Sequence, residues 1–195
     1  MKRRPANRKV EIIETASALF NERGYNNITM RILAAEMGIK AASLYNHISS
    51  KQEILATTIL GLAKKFVSGI EEIASKDIDS IEKIKNIVLV HIELTLEDPN
   101  GMASLQTNWM YLEGDNLLYF KQMRRDYEQS FRNIIKDGIS KGMVKAYSPE
   151  IILFSILTTL RSLYMWYPEQ KNIDKNVLKE EMISVTLKGF VNTQL

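Results

Sequence analysis

No stretch of this chain alternates apolar and polar side chains long enough to make a strand; apolar residues return every three or four positions instead. That period lays one apolar stripe along a helix, so the chain is read as all-α. Ile12, Ile13, Ala16, Leu19 and Phe20 line a first helix over about 7–23, which Gly24 is placed to end in a left-handed cap. Thr29 caps a second helix that runs through Met37 and breaks at Gly38, and a third short helix spans 41–47. Ser49-Ser50 then precedes a long fourth helix from Lys51 to about Ala74. Further helices are expected at about 79–98, 102–111, 116–141, 149–166 and 175–192. Asp79 or Ser80 caps the first of these, Pro99-Asn100-Gly101 terminates it, Ser148-Pro149 opens another, Pro168 closes it, and Asp174 caps the last. About nine helices result, three short ones in front and a larger bundle behind.

Composition narrows the function classes. The chain has no cysteine, so disulfides, a thiolate nucleophile and cysteine-type zinc sites are excluded. The basic start, Met1 to Arg4, is followed by polar residues rather than an apolar signal segment. The longest apolar run, Ile151 to Leu160, is about half of what a bilayer requires. A cytoplasmic protein without membrane contact is expected. Charge is unevenly placed: residues 1–51 hold nine Lys/Arg and four acids, and the remainder 17 and 19. A basic head on a slightly acidic body is the footprint left when one end meets phosphate, although a solvated basic terminus looks the same.

The informative run is 29–51. Leu33, Ala34 and Met37 face inward from the second helix, and Ala34 is small enough for the third helix to cross close by. Gly38 supplies the turn, Ile39 plugs the corner, and Leu44 and Ile48 return apolar contacts. Two helices crossing steeply over a Gly-containing turn make a helix-turn-helix. Its outward residues carry complementary chemistry. Thr29, Arg31, Tyr45, His47 and Lys51 donate hydrogen bonds or charge of the kind phosphate oxygens accept, and Lys51 lies in a first helical turn, where backbone N–H groups favour an anion. Lys40, Ala41, Ala42, Ser43 and Asn46 surround the start of the third helix, where alanines meet thymine methyls and Asn pairs with adenine. Each has a plainer alternative: Tyr45 packed on the first helix, His47 at a helix end, Lys51 solvated, Lys40 and Asn46 as mere surface.

The run Leu33-Ala34-x-x-Met37-Gly38-Ile39-x-x-Ala42-Ser43-Leu44-Tyr45-x-His47-Ile48-x-Ser50-Lys51, continued by Glu53-Ile54-Leu55, resembles the DNA-binding signature of the TetR family of repressors. The resemblance covers about residues 10–60, including Leu19-Phe20-x-x-x-Gly24-Tyr25. It implies Thr29, Arg31, Tyr45, His47 and Lys51 on phosphates, and Lys40, Ala41, Ala42, Ser43 and Asn46 on bases. Three positions depart: Lys40 replaces a small capping residue, Ala42 a frequent Gly, and Ile48 an aromatic. A poorly capped third helix is therefore expected, and the base preference stays open. The family implies a homodimer on a palindromic operator of double-stranded DNA, with no cofactor. It also implies a helix-turn-helix domain over 1–50 and an effector-binding and dimerisation domain over 51–195.

The larger half carries Met102, Leu105, Trp109, Met110, Tyr119, Met123, Tyr127 and Phe131, large adaptable side chains beside the small Ala103, Ser104 and Gly114. They suit a pocket for a small apolar effector, though the spacing is equally that of a core stripe. Arg124-Arg125-x-Tyr127-x-x-x-Phe131-Arg132, Ile135-x-Asp137-Gly138-Ile139-x-x-Gly142 and Leu163-x-x-Trp166-Tyr167 resemble TetR-type regulators of lipid metabolism. That implies a fatty acyl-CoA or related lipid as effector, with Arg124, Arg125, Arg132 or Arg161 on its phosphates or carbonyl; salt bridges to Asp126, Glu128 or Asp137 compete for these arginines. Ile152, Ile156, Leu160, Leu163, Val177, Met182, Val185 and Leu187 offer faces for a two-fold interface, or for plain core burial.

Two rival classes are weighed. An enzyme finds no Gly-rich phosphate loop, nucleophile elbow or metal-spaced histidine pair, and His91-Ile92-Glu93 lacks the Cys partners of a deaminase motif, so His91 is read as structural. A helical adaptor for protein partners would show no salt-dependent affinity for DNA.

Overall fold

The computed structural model describes residues 8–170 and 173–192. Lys2, Arg3 and Arg4, and the expected helix start at Asn7, lie outside them. The described residues form nine α-helices: α1 Arg8–Arg23, α2 Met30–Glu36, α3 Ala41–Tyr45, α4 Lys51–Ser75 and α5 Ser80–Glu97, then α6 Pro99–Thr107, α7 Gly114–Ser140, α8 Pro149–Trp166 and α9 Lys175–Lys188. Short 3-10 turns cover Tyr25–Asn27, Trp109–Tyr111 and Tyr167–Glu169. None of the described helices is long and apolar enough to cross a membrane.

Side-chain caps set four of the nine starts. Thr29, Asp79 and Asp174 accept from the backbone N–H groups of Ile32, Glu82 and Asn176, and Ser50 Oγ from that of Glu53. Two starts and stops differ from expectation. Pro99-Asn100-Gly101 opens α6 rather than ending α5, because proline at a first helical position gives up an N–H that had no intrahelical partner anyway. Gly24 takes φ +82° and ψ 138°, a positive φ with an extended ψ, and leads into a 3-10 turn instead of a left-handed cap.

The chain forms two compact units, the first up to Ala63 with Asn100–Lys121, the second Lys64–Pro99 with Gln122 onward. Helices α4 and α7 each contribute residues to both. In the first unit, α2 packs on α3 and α1 around buried Ile12, Ala16, Leu19, Phe20, Leu33, Ala34, Leu44, Ile48, Ile54 and Leu55. Asn21 of α1 holds α6: its amide donates to the Asn100 carbonyl at 2.8 Å, and its oxygen accepts from Ser104 and Asn108 at 3.3 and 3.4 Å.

In the second unit α5 lies against α8 and α9, burying Ile84, Ile87, Val88 and Ile92 with Phe131 and Ile135 of α7. An isolated antiparallel bridge pairs Val144 with Val191, and Lys145 N–H donates to the Phe190 carbonyl at 2.8 Å. Ile152, Ile156, Leu160 and Leu163, expected as half of a two-fold face, are at most 3% exposed within this unit's own core. Plain burial is the reading that holds for them. The outward apolar face of α8 is instead Ile151, Phe154 and Met165, exposed by 64%, 70% and 58%, and α9 exposes Val177 and Val185 while burying Leu187.

Gly138 leaves no room for a side chain in this packing. A Cβ there would sit 2.7 Å from Val144 Cγ2 and 3.1 Å from Ser80 Cβ. Gly138→Ala is expected to lower stability by about 1–3 kcal/mol, the usual penalty of overpacking, as read by urea unfolding. An unchanged midpoint would mean that Val144 moves aside freely.

Candidate functional site

Met37 follows α2, and Gly38 then takes φ +66°, a left-handed value that side chains with a Cβ adopt only at a cost. Its N–H donates to the Ala35 carbonyl and that of Ile39 to the Ala34 carbonyl, both at 3.0 Å, the paired bonds of a Schellman turn. Leu33 and Ala34 below the turn and Leu44 and Ile48 beyond it are all buried, while Met37 and Ile39 are half-buried at the corner. Lys40 stands at the N-cap of α3 without a side-chain cap bond, as its departure from the family pattern implied.

Once the inner residues are fixed, the outer ones follow. Thr29, Arg31, Lys40, Ala42, Ser43, Tyr45, Asn46 and His47 are exposed, and Ala41 is half-buried. Tyr45 keeps 52% of its surface, so it is not packed away on α1. Thr29 Oγ1 accepts from Ile32 N–H at 3.2 Å, which leaves its own O–H able to donate outward.

Lys51 is held partly inside the protein. Its ammonium donates to the Tyr25 and Ile28 carbonyls at 2.9 and 3.0 Å and lies 3.9 Å from the Tyr25 ring centroid. Burial pulls its pKa below the ordinary lysine value. Two of its three N–H groups therefore work inside the protein, and one remains for an external acceptor. Beside it, Glu53 accepts from Lys9 at 2.6 Å and from both the N–H and hydroxyl of Ser49 at 2.7 Å. These bonds, that from Lys9 first, hold the Glu53 carboxyl at about 2.

The ten residues expected around an effector divide evenly between the units. Met102, Leu105, Trp109, Met110 and Tyr119 belong to the first, and Met123, Arg124, Tyr127, Phe131 and Arg161 to the second. Met102 and Leu105 are buried, whereas Met110 and Tyr119 stand on the surface at 58% and 47% exposure. Met123, Tyr127 and Phe131 are buried along one face of α7. The arginines are engaged in ion pairs: Arg124 and Arg161 meet the same Glu128 oxygen at 3.1 and 2.7 Å, and Arg132 meets Glu150. His91, set aside in the sequence, is buried in the second unit with its Nε2 2.7 Å from the Tyr127 hydroxyl. The available signal was its place among Ile87, Val88 and Thr95 on the apolar face of α5, all buried.

A Schellman-turned helix pair that points a phenol, an imidazole, an amide and a guanidinium outward defines a helix-turn-helix protein. Residues 12–58 match the bacterial regulatory proteins of the tetR family, and residues 77–190 match the tetracyclin repressor-like C-terminal domain. The chain belongs to the TetR family of transcriptional regulators. It is similar to the HTH-type transcriptional repressor KstR2 of Rhodococcus jostii, with 21% identity over 187 residues that cover 95% of this chain and 92% of the relative. The structure of the ketosteroid transcriptional regulator KstR2 of Mycobacterium tuberculosis matches with a TM-score of 0.89, 19% identity and 97% coverage of both chains. AibR in complex with isovaleryl coenzyme A and operator DNA matches with a TM-score of 0.78 and 19% identity, covering 92% of this chain and 97% of that one.

The Glu53 cluster yields a pH dependence. A carboxyl whose folded pKa is depressed contributes stability above its ordinary value, and that contribution drains away as pH falls towards about 2. Glu53→Gln is expected to unfold with a shallower dependence on acid below about pH 4.5 than the unsubstituted chain, as followed by circular dichroism. Parallel acid curves would assign the lost stability to other carboxylates.

Proposed function

We propose that this regulator is a homodimeric repressor, released from a palindromic operator when a small apolar effector binds its larger half. The carrying observation is the exposed set Thr29, Arg31, Ser43, Tyr45, Asn46 and His47, presented on and around α3 by a buried, glycine-turned frame. Thr29, Arg31, Tyr45 and His47 hold phosphates, with the remaining N–H of Lys51 as a further contact. Lys40, Ala41, Ala42, Ser43 and Asn46 meet base edges. The head spans 1–50 and the effector-binding and dimerisation domain 51–195, working in the cytoplasm without catalytic chemistry.

Dimerisation is assigned to the outward apolar face of α8, Ile151, Phe154 and Met165, with Val185 of α9. Large apolar side chains this exposed are characteristic of an interface surface. The effector is assigned to the buried face of α7, Met123, Tyr127 and Phe131, and its class to lipid-like molecules such as acyl-CoA thioesters. The structural likeness to AibR, a protein crystallised with isovaleryl coenzyme A and operator DNA, supports that class. Repression ends if the effector prefers the state in which the two heads no longer fit successive half-sites, and the shift is limited by that difference in affinity. Helix α4, which contributes to both units, is the element through which the preference reaches the head.

Operators are found by selecting bound duplexes from random DNA with the full chain. Arg31→Ala is expected to weaken binding to all sequences and flatten the salt dependence by about one unit of slope. Tyr45→Phe removes a neutral donor, so affinity falls by roughly three- to tenfold with the salt slope unchanged. Wild-type affinity in both variants contradicts the phosphate assignment. Phe154→Arg is expected to give monomers in light scattering and to weaken operator binding at least tenfold; a dimer of unchanged affinity moves the interface elsewhere. Titrating fatty acyl-CoA against the operator complex tests the effector class, which fails if no lipid releases DNA.

A further inference from the structure

Among the described residues of the second unit, one buried side-chain nitrogen has no hydrogen-bond partner. His91 of α5 is 4% exposed, with its ring centroid 4.5 Å from that of Phe66 on α4 and 5.8 Å from that of Tyr127 on α7. Tyr127 in turn meets the Phe131 ring edge-on at 6.5 Å. Nε2 of His91 lies 2.7 Å from the Tyr127 hydroxyl, whereas Nδ1 has no hydrogen-bond partner. Folded proteins seldom leave such an atom unmatched without a use for it.

Counting hydrogens decides what this atom offers. Burial first, and the nearby Arg161 second, drive the His91 pKa down to about 3, so the ring is neutral and carries a single N–H. Were that hydrogen on Nε2, it would donate to the phenol oxygen and leave two orphans, the Nδ1 lone pair and the phenol hydrogen. With the hydrogen on Nδ1, the phenol donates to Nε2 and a single orphan remains, a donor. The second arrangement satisfies more groups and is the favoured one. The donor lies beside aromatic rings, and Arg161, the cation that acts on His91, is paired with Glu128 at 2.7 Å. A carboxylate brought here would have to take up a proton or break that pair. A carbonyl, which only accepts, matches the lone donor without either.

We infer that His91 Nδ1–H is the recognition donor for a neutral carbonyl oxygen on an apolar effector, with Tyr127 fixing the tautomer from the other side of the ring. This rests on the effector reading above and adds to it the chemistry of the group that is recognised. Two sources share that chemistry, a ketone and a thioester. A free fatty acid at neutral pH does not.

The full-length chain labelled with 15N-histidine gives a direct test, because it contains two histidines and His47→Ala assigns the remaining signals to His91. Methyl octyl ketone, decanoyl-CoA and sodium decanoate are the probes, at neutral pH. The expected result is an Nδ1-protonated His91 whose Nδ1 resonance shifts saturably with the ketone, the thioester or both; which of them does so identifies the source. Decanoate is expected to bind at least tenfold more weakly. Tyr127→Phe is expected to weaken the responding carbonyl probe about tenfold, and cooperative thermal unfolding followed by circular dichroism reports that the variant is folded. No shift with either carbonyl probe, or decanoate binding as tightly as they do, overturns the assignment. Operator release is scored in parallel with His91→Leu. If decanoyl-CoA releases DNA as readily from that variant as from the unsubstituted chain, the His91 assignment falls and the effector reading stands. If a carbonyl probe binds at His91 and no probe releases DNA, the assignment stands and the effector reading falls.

Discussion

An ammonium group turned inward organises the DNA-binding head. Lys51 Nζ bonds the carbonyls of Tyr25 and Ile28, which flank the 3-10 turn between α1 and α2. Ile28 directly precedes the Thr29 cap, so holding its carbonyl sets where α2 begins and which way Arg31 faces. Beneath the ammonium, the Tyr25 ring takes the edge of Phe20 and stacks on Tyr111, each at 5.0 Å. The neighbouring Gln52 donates to the Tyr111 carbonyl at 2.7 Å. Two consecutive residues at the start of α4 thus tie α1, the following turn and the 109–111 segment into one body. Magnitudes favour this inward role for Lys51. A hydrogen bond from a charged donor contributes roughly 1.5–3 kcal/mol, against about 0–1 kcal/mol for a surface pair such as Lys9 with Glu53.

Most of this architecture was readable in advance because it depends on local order. The period of apolar residues marks helices whatever their neighbours, and Thr29, Asp79 and Asp174 act on N–H groups two or three residues away. Pro99-Asn100-Gly101 misleads because its composition suits the end of one helix and the start of the next. Only Asp98 separates α5 from α6, so no linker exists to tell the two readings apart. Helix α8 defeats register for a different reason. It is apolar on more than one face, and Ile151 and Ile152 differ by a rotation of about 100° that periodicity cannot resolve.

The candidate site residues divide along the same line. Residues 40–47 were legible because the buried Leu44 and Ile48 dictate which of their neighbours face out. Lys51 was not, since its partners are backbone carbonyls 23 and 26 positions earlier, and a carbonyl has the same appearance at every residue. For Arg124 and Arg161 the sequence left salt bridges to Asp126, Glu128 or Asp137 as the competing reading; Arg124 meets Glu128 one turn along the same helix, whereas that Arg161 joins them depends on α8 lying beside α7. His91 was hidden by its own neighbourhood, an apolar helix face where a histidine reads as filler. Its significance appears only once Tyr127 is found to satisfy one ring nitrogen and nothing satisfies the other.

The shortness of α3 gives a second copy a clear advantage in the proposed role. Five helical residues present few groups to a base edge, and with Tyr45 assigned to phosphate the polar ones left among them and the adjoining Lys40 and Asn46 are Lys40, Ser43 and Asn46. A well-formed bidentate contact discriminates by about 1–3 kcal/mol, whereas specific sites exceed non-specific binding by about 4–10 kcal/mol. Up to three such contacts give one head about 3–9 kcal/mol, so a head whose contacts are imperfect falls short of that range. Two heads on matching half-sites double the discrimination, provided that the distance between them fits the operator. The apolar side chains exposed on α8 supply the surface from which such a pair can be built. On the proposed reading, an effector need not touch α3 to end repression, because moving one head out of register would forfeit half of the base contacts and return the protein towards non-specific binding.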